Sequence, residues 1–410
     1  MFNRKNEAEL ELHENKVTDI ANTTFLSDNV NELKERQVMT MKTYCFKLYH
    51  AKRNKKLHKR IDFAARAYNH CIALHKRYYR LFGKHLHKYK LQKYLTKLKK
   101  IKRFNYMNLI GSQALQDITD RIERAYTLFF RNLKRKVRTS PPTFKKKCKY
   151  KSFTLKQAGW KLDESNGIII IDGQKYRYFK SREVQGKIKT VTVKRDNLGD
   201  IYIYLVCEDS SNVVLTRTGN SVGFDFGLKT FLTASDGNDV VSPLFFKQNA
   251  VAIKKANREL SRKQKGSNHR NQARLALARV HKKAANQRKD FHFKTALNLC
   301  GNYALICLED LNIKAMQRFW GRKVSDLAFS DFVKILKYEA YKCGSTVIEI
   351  DRFYASSQIC HHCGQQNKAT KDLSIRTWTC LNCGEHLDRD RNAAINILKV
   401  GASTFLGEAS

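Results

Sequence analysis

The spacing of apolar and polar positions changes character along the chain. Residues 55–136 read as helical, with Leu115, Ile118, Ile122, Ala125, Phe129 and Leu133 on one face and charge opposite. Residues 140–210 switch to a period of two and to β-branched or aromatic side chains. There 168–171, 176–179, 187–195 and 201–208 read as strands, and Asp196–Asp200 turns the last pair. Residues 43–49 have the same character, so the strands predict a small barrel interrupted by a helical insertion. From residue 220 the pattern is mixed α/β. Residues 222–227 and 231–235 read as a hairpin, with the chain turning at Asp236-Gly237, and 249–298 as a long basic helical segment broken at Gly266-Ser267. Residues 303–308 and 346–350 read as buried strands, 329–341 and 391–398 as helices.

Composition adds scale and charge. A chain of 410 residues with 42% hydrophobic and 11% aromatic content predicts two to four folded domains. The 79 Lys+Arg against 37 Asp+Glu, a net charge of +42, predict attraction to a polyanion. No apolar run of membrane-spanning length and no secretory signal pattern is visible, so nucleic acid is the expected partner rather than a membrane. Residues 1–41 stand apart: they are net acidic, end near Met39 and Met41, and read as a loosely structured extension upstream of a second start codon. Basic runs occur at 84–104, interleaved with Tyr89 and Tyr94, at Lys145–Lys149 with Lys151, and along 249–298 from Lys254 and Lys255 to Arg288 and Lys289. A solvated helix face is the plain account of such a run, but a long one-signed face repels itself, which favours bound polyphosphate.

The 11 cysteines, without an export signal, predict a reducing cytoplasm and thiols rather than disulfides. Seven (Cys45, Cys71, Cys148, Cys207, Cys300, Cys307, Cys343) read as small buried hydrophobes. The other four are different. Cys360, Cys363, Cys380 and Cys383 form two Cys-x-x-Cys pairs, with Gly364 and Gly384 supplying the tight turns. Four thiolates fill a tetrahedral shell and leave no position for a catalytic water, so they predict a structural Zn²⁺.

Three carboxylates stand where strands end or a helix begins: Asp225 within Gly223-Phe-Asp-Phe-Gly227, Glu309 after an apolar strand, and Asp390 at the start of 391–398. Sites in open α/β sheets lie beyond strand ends, where the three would converge. Hard oxygen ligands that repel one another favour Mg²⁺, and two such ions can drive phosphodiester hydrolysis. Asp388 competes with Asp390; Asp390 is preferred because it lies immediately before the helix, where N–H groups hold a carboxylate. The pair His85-Leu-His87 matches the metal motif of tyrosine nucleases, but that motif needs a strand and this stretch reads as a basic helix.

In order, Gly223-Phe-Asp225-Phe-Gly227, Leu308-Glu309-Asp-Leu311, Ser357-Gln-Ile-Cys360-His-His-Cys363-Gly, Cys380-Leu-Asn-Cys383-Gly and Asp388-Arg-Asp390-Arg-Asn392-Ala-Ala resemble the TnpB (OrfB) proteins of transposon insertion sequences, relatives of type V CRISPR effectors. Gln287-Arg-Lys-Asp-Phe291 is also similar to the family's. The resemblance spans about residues 42–405, by layout alone over 42–210. It implies a multidomain α+β protein. A β-barrel over 42–54 and 140–219 would be interrupted by helices over 55–139. A split RNase H-like (RuvC) nuclease would take up 220–355 and 387–410, with a zinc ribbon inserted over 356–386. It further implies an Mg²⁺-dependent DNA endonuclease with Asp225, Glu309 and Asp390 as catalytic ligands, a guide RNA from the element, and target DNA at the nucleoid read by pairing beside a short adjacent motif. A nuclease-inactive, guide-dependent repressor would lack the acidic triad, which is intact here. A strand-transferring transposase usually ends its triad in Glu on a helix, not Asp beside a zinc ribbon.

Overall fold

The computed structural model describes residues 40–209, 219–372 and 374–408. Most of the expected extension over 1–41 lies outside them, and its last two residues already belong to a strand. The chain divides into two compact units, one holding residues 40–209 and the other the described residues from 219 on.

The first unit has strands β1 (Thr40–Lys47), β2 (Ser152–Leu155), β3 (Trp160–Asp163), β4 (Ile168–Ile171), β5 (Gln174–Arg177), β6 (Lys187–Arg195) and β7 (Ile201–Asp209). An antiparallel sheet runs in the order β1-β7-β6-β2, and β3-β4-β5 form a separate meander. The two are linked by a single bridge, Leu48 to Tyr178. The barrel expected from the sequence is therefore, among the described residues, two bridged sheets. Strands β6 and β7 form where alternation is cleanest, burying Val191, Val193, Ile201, Ile203, Leu205 and Cys207. Their turn is fixed by Asp196, whose Oδ1 accepts the N–H groups of Leu198 and Asp200, both at 2.9 Å.

Helices α1 (Asn54–Phe82) and α3 (Ser112–Lys134) pack on this sheet through Leu57, Ile61, Ala64, Ile72, Ile118 and Ile122, and α2 (Lys88–Leu98) packs on α3. The buried Arg60 ties them to the strands: it donates to the Ile110 carbonyl at 2.8 Å, pairs with Asp172 and lies 4.5 Å from the Phe153 ring centroid. The apolar stripe on α3 fades toward its end, where Leu133 is exposed. The basic segment 84–104 is not one helix. Gly83 adopts φ 61° and ends α1, so His85 and His87 stand in the connection and both face Glu123, at 3.2 and 3.8 Å. Neither lies on a strand, so the nuclease motif remains excluded, though not for being helical.

The second unit is built on one sheet of β8 (Ser221–Phe226), β9 (Thr230–Ala234), β10 (Val240–Val241), β11 (Leu305–Glu309) and β12 (Thr346–Ile350), in the order β10-β9-β8-β11-β12. Strands β8, β9 and β10 are antiparallel; β8, β11 and β12 are parallel. Helices α4 (Phe245–Gln248), α5 (Ala250–Arg262), α6 (Asn268–Asn302), α7 (Ile313–Leu327), α8 (Phe329–Cys343) and α9 (Arg389–Glu408) surround it. On one face Phe224, Phe226 and Phe231 pack with Leu299, Phe329, Phe332 and Leu336 from α6 and α8. On the other, Leu305, Cys307 and Ile350 meet Ile397 of α9.

The basic segment breaks where its glycine predicts. Ser267 caps α6, accepting from the Arg270 N–H at 3.1 Å. The stretch Gln287–Phe291 anchors α6. Gln287 accepts from Asn249, Arg288 donates to the Asp326 carbonyl at 3.0 Å, and Phe291 lies edge-on to Phe231. Lys254, Lys255, Arg258, Arg274, Arg279 and Lys283 are exposed. Among the scattered cysteines, Cys71, Cys207, Cys300 and Cys307 are buried, but Cys45 and Cys148 are exposed, one on an edge strand and one in a loop. No described helix is long and apolar enough to cross a membrane.

Candidate active site and metal centre

Strands β8 and β11 bring Asp225 and Glu309 to the same edge. Gly223 pairs with Cys307 and Phe224 with Leu308, so Asp225 and Glu309 each follow the last paired residue at the carboxyl ends of adjacent parallel strands. Alternation puts both side chains on the face of Gly223 and Cys307, opposite Phe224. Helix α9 covers that face at close range. A Cβ on Gly223 would collide with the Ala394 carbonyl and stand 2.6 Å from the Leu398 nitrogen; one on Gly401 would strike Cys307. Gly223 thus makes room for a helix, rather than for a ligand.

That contact sets the position of Asp390. Asp390 lies four residues, about 6 Å of helix, before Ala394, and its charge reaches Asp225. The helix begins at Arg389, so Asp390 lies in its first turn rather than before it. The capping role belongs to Asp388, whose Oδ1 accepts the Arg391 N–H at 2.8 Å. The expected capping role is therefore reversed: Asp388 is the cap, and Asp390 pairs with Arg376.

Asp225 lies in the field of both other carboxylates. Burial, then the charges of Glu309 and Asp390, raise the Asp225 carboxyl well above the usual carboxylate range, with Arg389 opposing. Burial also raises Glu309, against a hydrogen bond from the Ser356 hydroxyl. Arg376 reaches both oxygens of Asp390, at 3.3 and 3.2 Å. Among the described residues the three carboxylates do not form a set whose donor atoms all lie within 4.8 Å of one another. Mutual repulsion and these separate tethers account for the spacing. Partly buried hard-oxygen donors of like charge suit divalent cations.

The four cysteines do form such a set. Cys360 and Cys383 sulfurs are 3.7 Å apart, and Cys363 and Cys380 sulfurs 3.5 Å. A tetrahedral Zn²⁺ at about 2.3 Å from each sulfur requires edges near 3.8 Å, so the quartet fits that ion. Strands β13 (Thr377–Thr379) and β14 (His386–Asp388) pair beside it, and Trp378 and Leu387 complete its small core.

Sequence reasoning did not single out the side chains that join this ribbon to the acids. Asn392 and Asn396, one turn apart on α9 and both buried, donate to the carbonyls of Ser356 and Ile359. Asn392 also accepts from the His361 N–H at 2.9 Å. The ribbon's root is thereby fastened to the helix that carries Asp390, and its Ser356 to Glu309. The only sequence signal was two Asn on one helical face beneath an acidic cap.

Against known proteins, the family model described as "Probable transposase" matches residues 204–319, which include Asp225 and Glu309. The model "Cas12f1-like, TNB domain" matches 329–397, which include the cysteines and Asp390. A mimivirus relative of Acanthamoeba polyphaga, "TnpB-like protein L79", is 29% identical over 61% of this chain and 52% of its own length. A Streptomyces pristinaespiralis protein described as "Putative RNA-guided DNA endonuclease" is 30% identical over 312 residues, 75% of this chain and 76% of that one. This chain belongs to the TnpB family. Among its TnpB relatives, the Escherichia coli protein "Putative RNA-guided DNA endonuclease InsQ" is 29% identical over 76% of this chain and 80% of its own. The fold of the TnpB chain also resembles the protein in a cryo-EM structure of a Cas12f1–sgRNA–target DNA complex. The TM-score is 0.56 over 85% of this chain and 83% of that one, at 14% identity.

Proposed function

We propose that this protein is an RNA-guided, metal-dependent DNA endonuclease whose RuvC-like site is formed by Asp225, Glu309 and Asp390. The observation that carries the reading is Asp225: a carboxylate at a strand end, held in the field of two further acids brought from a second strand and from α9. Structural proteins seldom gather three carboxylates with one of them buried, whereas metal-dependent phosphodiesterases require such a cluster. The strand order β10-β9-β8-β11-β12, antiparallel on one side and parallel on the other, supports an RNase H-like arrangement. Two relatives described as "Putative RNA-guided DNA endonuclease" support RNA guidance and DNA as substrate.

Two Mg²⁺ ions held by these acids would supply an activated water and stabilise the leaving oxygen of the phosphodiester. The chain's own residues do the rest. Ser356 orients Glu309 through its hydroxyl, and the first turn of α9 directs its positive dipole end toward the acids. Arg376, ion-paired with Asp390, supplies a mobile positive charge beside the site. The exposed basic residues of α5 and α6 give phosphate backbones a path that the acids alone would repel. A structural Zn²⁺ in the cysteine quartet would fix the ribbon that carries Ser356 and Arg376.

The test is cleavage of a DNA matching the RNA that co-purifies with the protein. In Mg²⁺ the parent protein cuts, and Asp225→Ala loses at least about a thousandfold in rate. Equal behaviour of the two would favour a guide-dependent DNA binder, and strand-transfer products would favour a transposase.

A further inference from the structure

The loop 351–355 leaves the sheet and returns to the same residue. Ile350, before it, is the register partner of Glu309, and Ser356, after it, donates its hydroxyl to the Glu309 carboxylate. At its middle stands Phe353, 86% exposed. Its neighbours are each tethered by a contact. Arg352 Nε donates to Asp310 Oδ2 at 3.0 Å, and Tyr354 packs against the cluster of Leu305, Cys307, Ile350 and Ile397. Asp351 Oδ1 accepts the Phe353 N–H at 2.7 Å and its carbonyl the Tyr354 N–H at 3.2 Å. The loop is thus preorganised with one aromatic ring facing outward.

Single exposed apolar side chains are ordinary, and Val251 and Leu381 in the same unit are others. Phe353 differs in its place. Three residues of chain hold its Cα within about 11 Å of both Ile350 and Ser356, the two anchors on Glu309. It thus stands on the segment that joins the two anchors of Glu309. Flat rings next to phosphate-binding sites hold single-stranded nucleic acid by stacking on bases, a contact every base can make.

We propose that Phe353 is a base-stacking platform that receives one unpaired nucleobase of the DNA strand being cut, roughly one to three nucleotides from the scissile phosphate. The inference rests on the nuclease reading above and adds to it that the strand enters the site unstacked at that nucleotide. The ring fixes the register of the strand against Glu309 and Asp225, and its role is independent of base identity.

The test uses the full-length protein with its co-purifying RNA and matching target strands, each carrying one abasic nucleotide at successive positions. Phe353→Ala slows single-turnover cleavage about tenfold, Phe353→Leu does the same, and Phe353→Trp stays within about threefold of the parent. An abasic nucleotide at one position slows the parent similarly but leaves Phe353→Ala no slower than it already is. Unchanged melting temperatures establish that the variants are folded, as expected for so exposed a side chain. Cleavage by Phe353→Ala at the parental rate, or an abasic penalty that survives intact in that variant, overturns the platform. If the parent and Asp225→Ala are equally inactive, the nuclease reading itself has failed and the platform falls with it.

Discussion

Asp225 pairs a chemical demand with a folding cost. Its folded-state pKa is raised, so in metal-free protein its contribution to stability is complete below about pH 4, the ordinary carboxylate value. That contribution is lost as pH rises through the higher folded value. Asp225→Asn removes the desolvated charge. At pH 8 without divalent metal, calorimetry should show that variant melting above the parent, by roughly 1–2 kcal/mol of stability, with the difference vanishing near pH 4. Mg²⁺ should raise the melting temperature of the parent and not of the variant. A variant less stable than the parent at pH 8 would show that the acids are compensated by charges not described above. At the same scale, Ser356→Ala should slow cleavage about tenfold and raise the Mg²⁺ concentration needed for half-maximal rate, with Ser356→Thr restoring both. An unchanged Mg²⁺ requirement would remove Ser356 from the site.

Among elements, α9 is placed by two glycine contacts within an apolar face that includes Ala394, Ile397 and Leu398. Gly223→Ala sets a methyl against the backbone of Ala394 and should destabilise by about 3 kcal/mol, with activity falling as Asp390 is pushed from Asp225. Gly301→Ala, on α6 with nothing within 4 Å, should instead stabilise by up to about 1 kcal/mol in denaturant titration. Similar effects at the two positions would contradict the packing. In the second unit β8, β9, β11 and β12 were legible because apolar runs such as 346–350 end at clear breaks, whereas the two- and three-residue β10, β13 and β14 were not. In the first unit β2 and β3 were missed: four-residue strands reading Ser-Phe-Thr-Leu and Trp-Lys-Leu-Asp are too short to show a period. The order Asp, Glu, Asp was visible in the sequence. The choice of Asp390 over Asp388 rested on a cap that the structure assigns to Asp388, because a one-residue shift in where a helix starts exchanges the two roles. The Asn392–Asn396 clasp was not legible, since its partners are backbone carbonyls about 35 residues away.

For the molecule as a whole, a net charge of +42 makes nucleic acid part of its electrostatic balance. Replacing Lys254, Lys255 and Arg258 by Gln should flatten the slope of log affinity against log salt by about 2–3 in titrations with the co-purifying RNA and its DNA target. A slope that does not change would place those side chains away from phosphate. Removing zinc should loosen the ribbon and, through Asn392 and Ser356, the acids it steadies. Cleavage that persists at full rate in protein verified to be zinc-free would break that link.

The central claim is that three acids from two strands and a helix work as one unit. The most direct measurement is the Mg²⁺-dependent, single-turnover cleavage rate of Asp225→Ala, Glu309→Ala, Asp390→Ala and the triple variant, each loaded with the same RNA and DNA. Groups that share a task are not additive, so all four should fall to a common floor at least about a thousandfold below the parent. Near-parental cleavage by any one of the single variants would contradict the account.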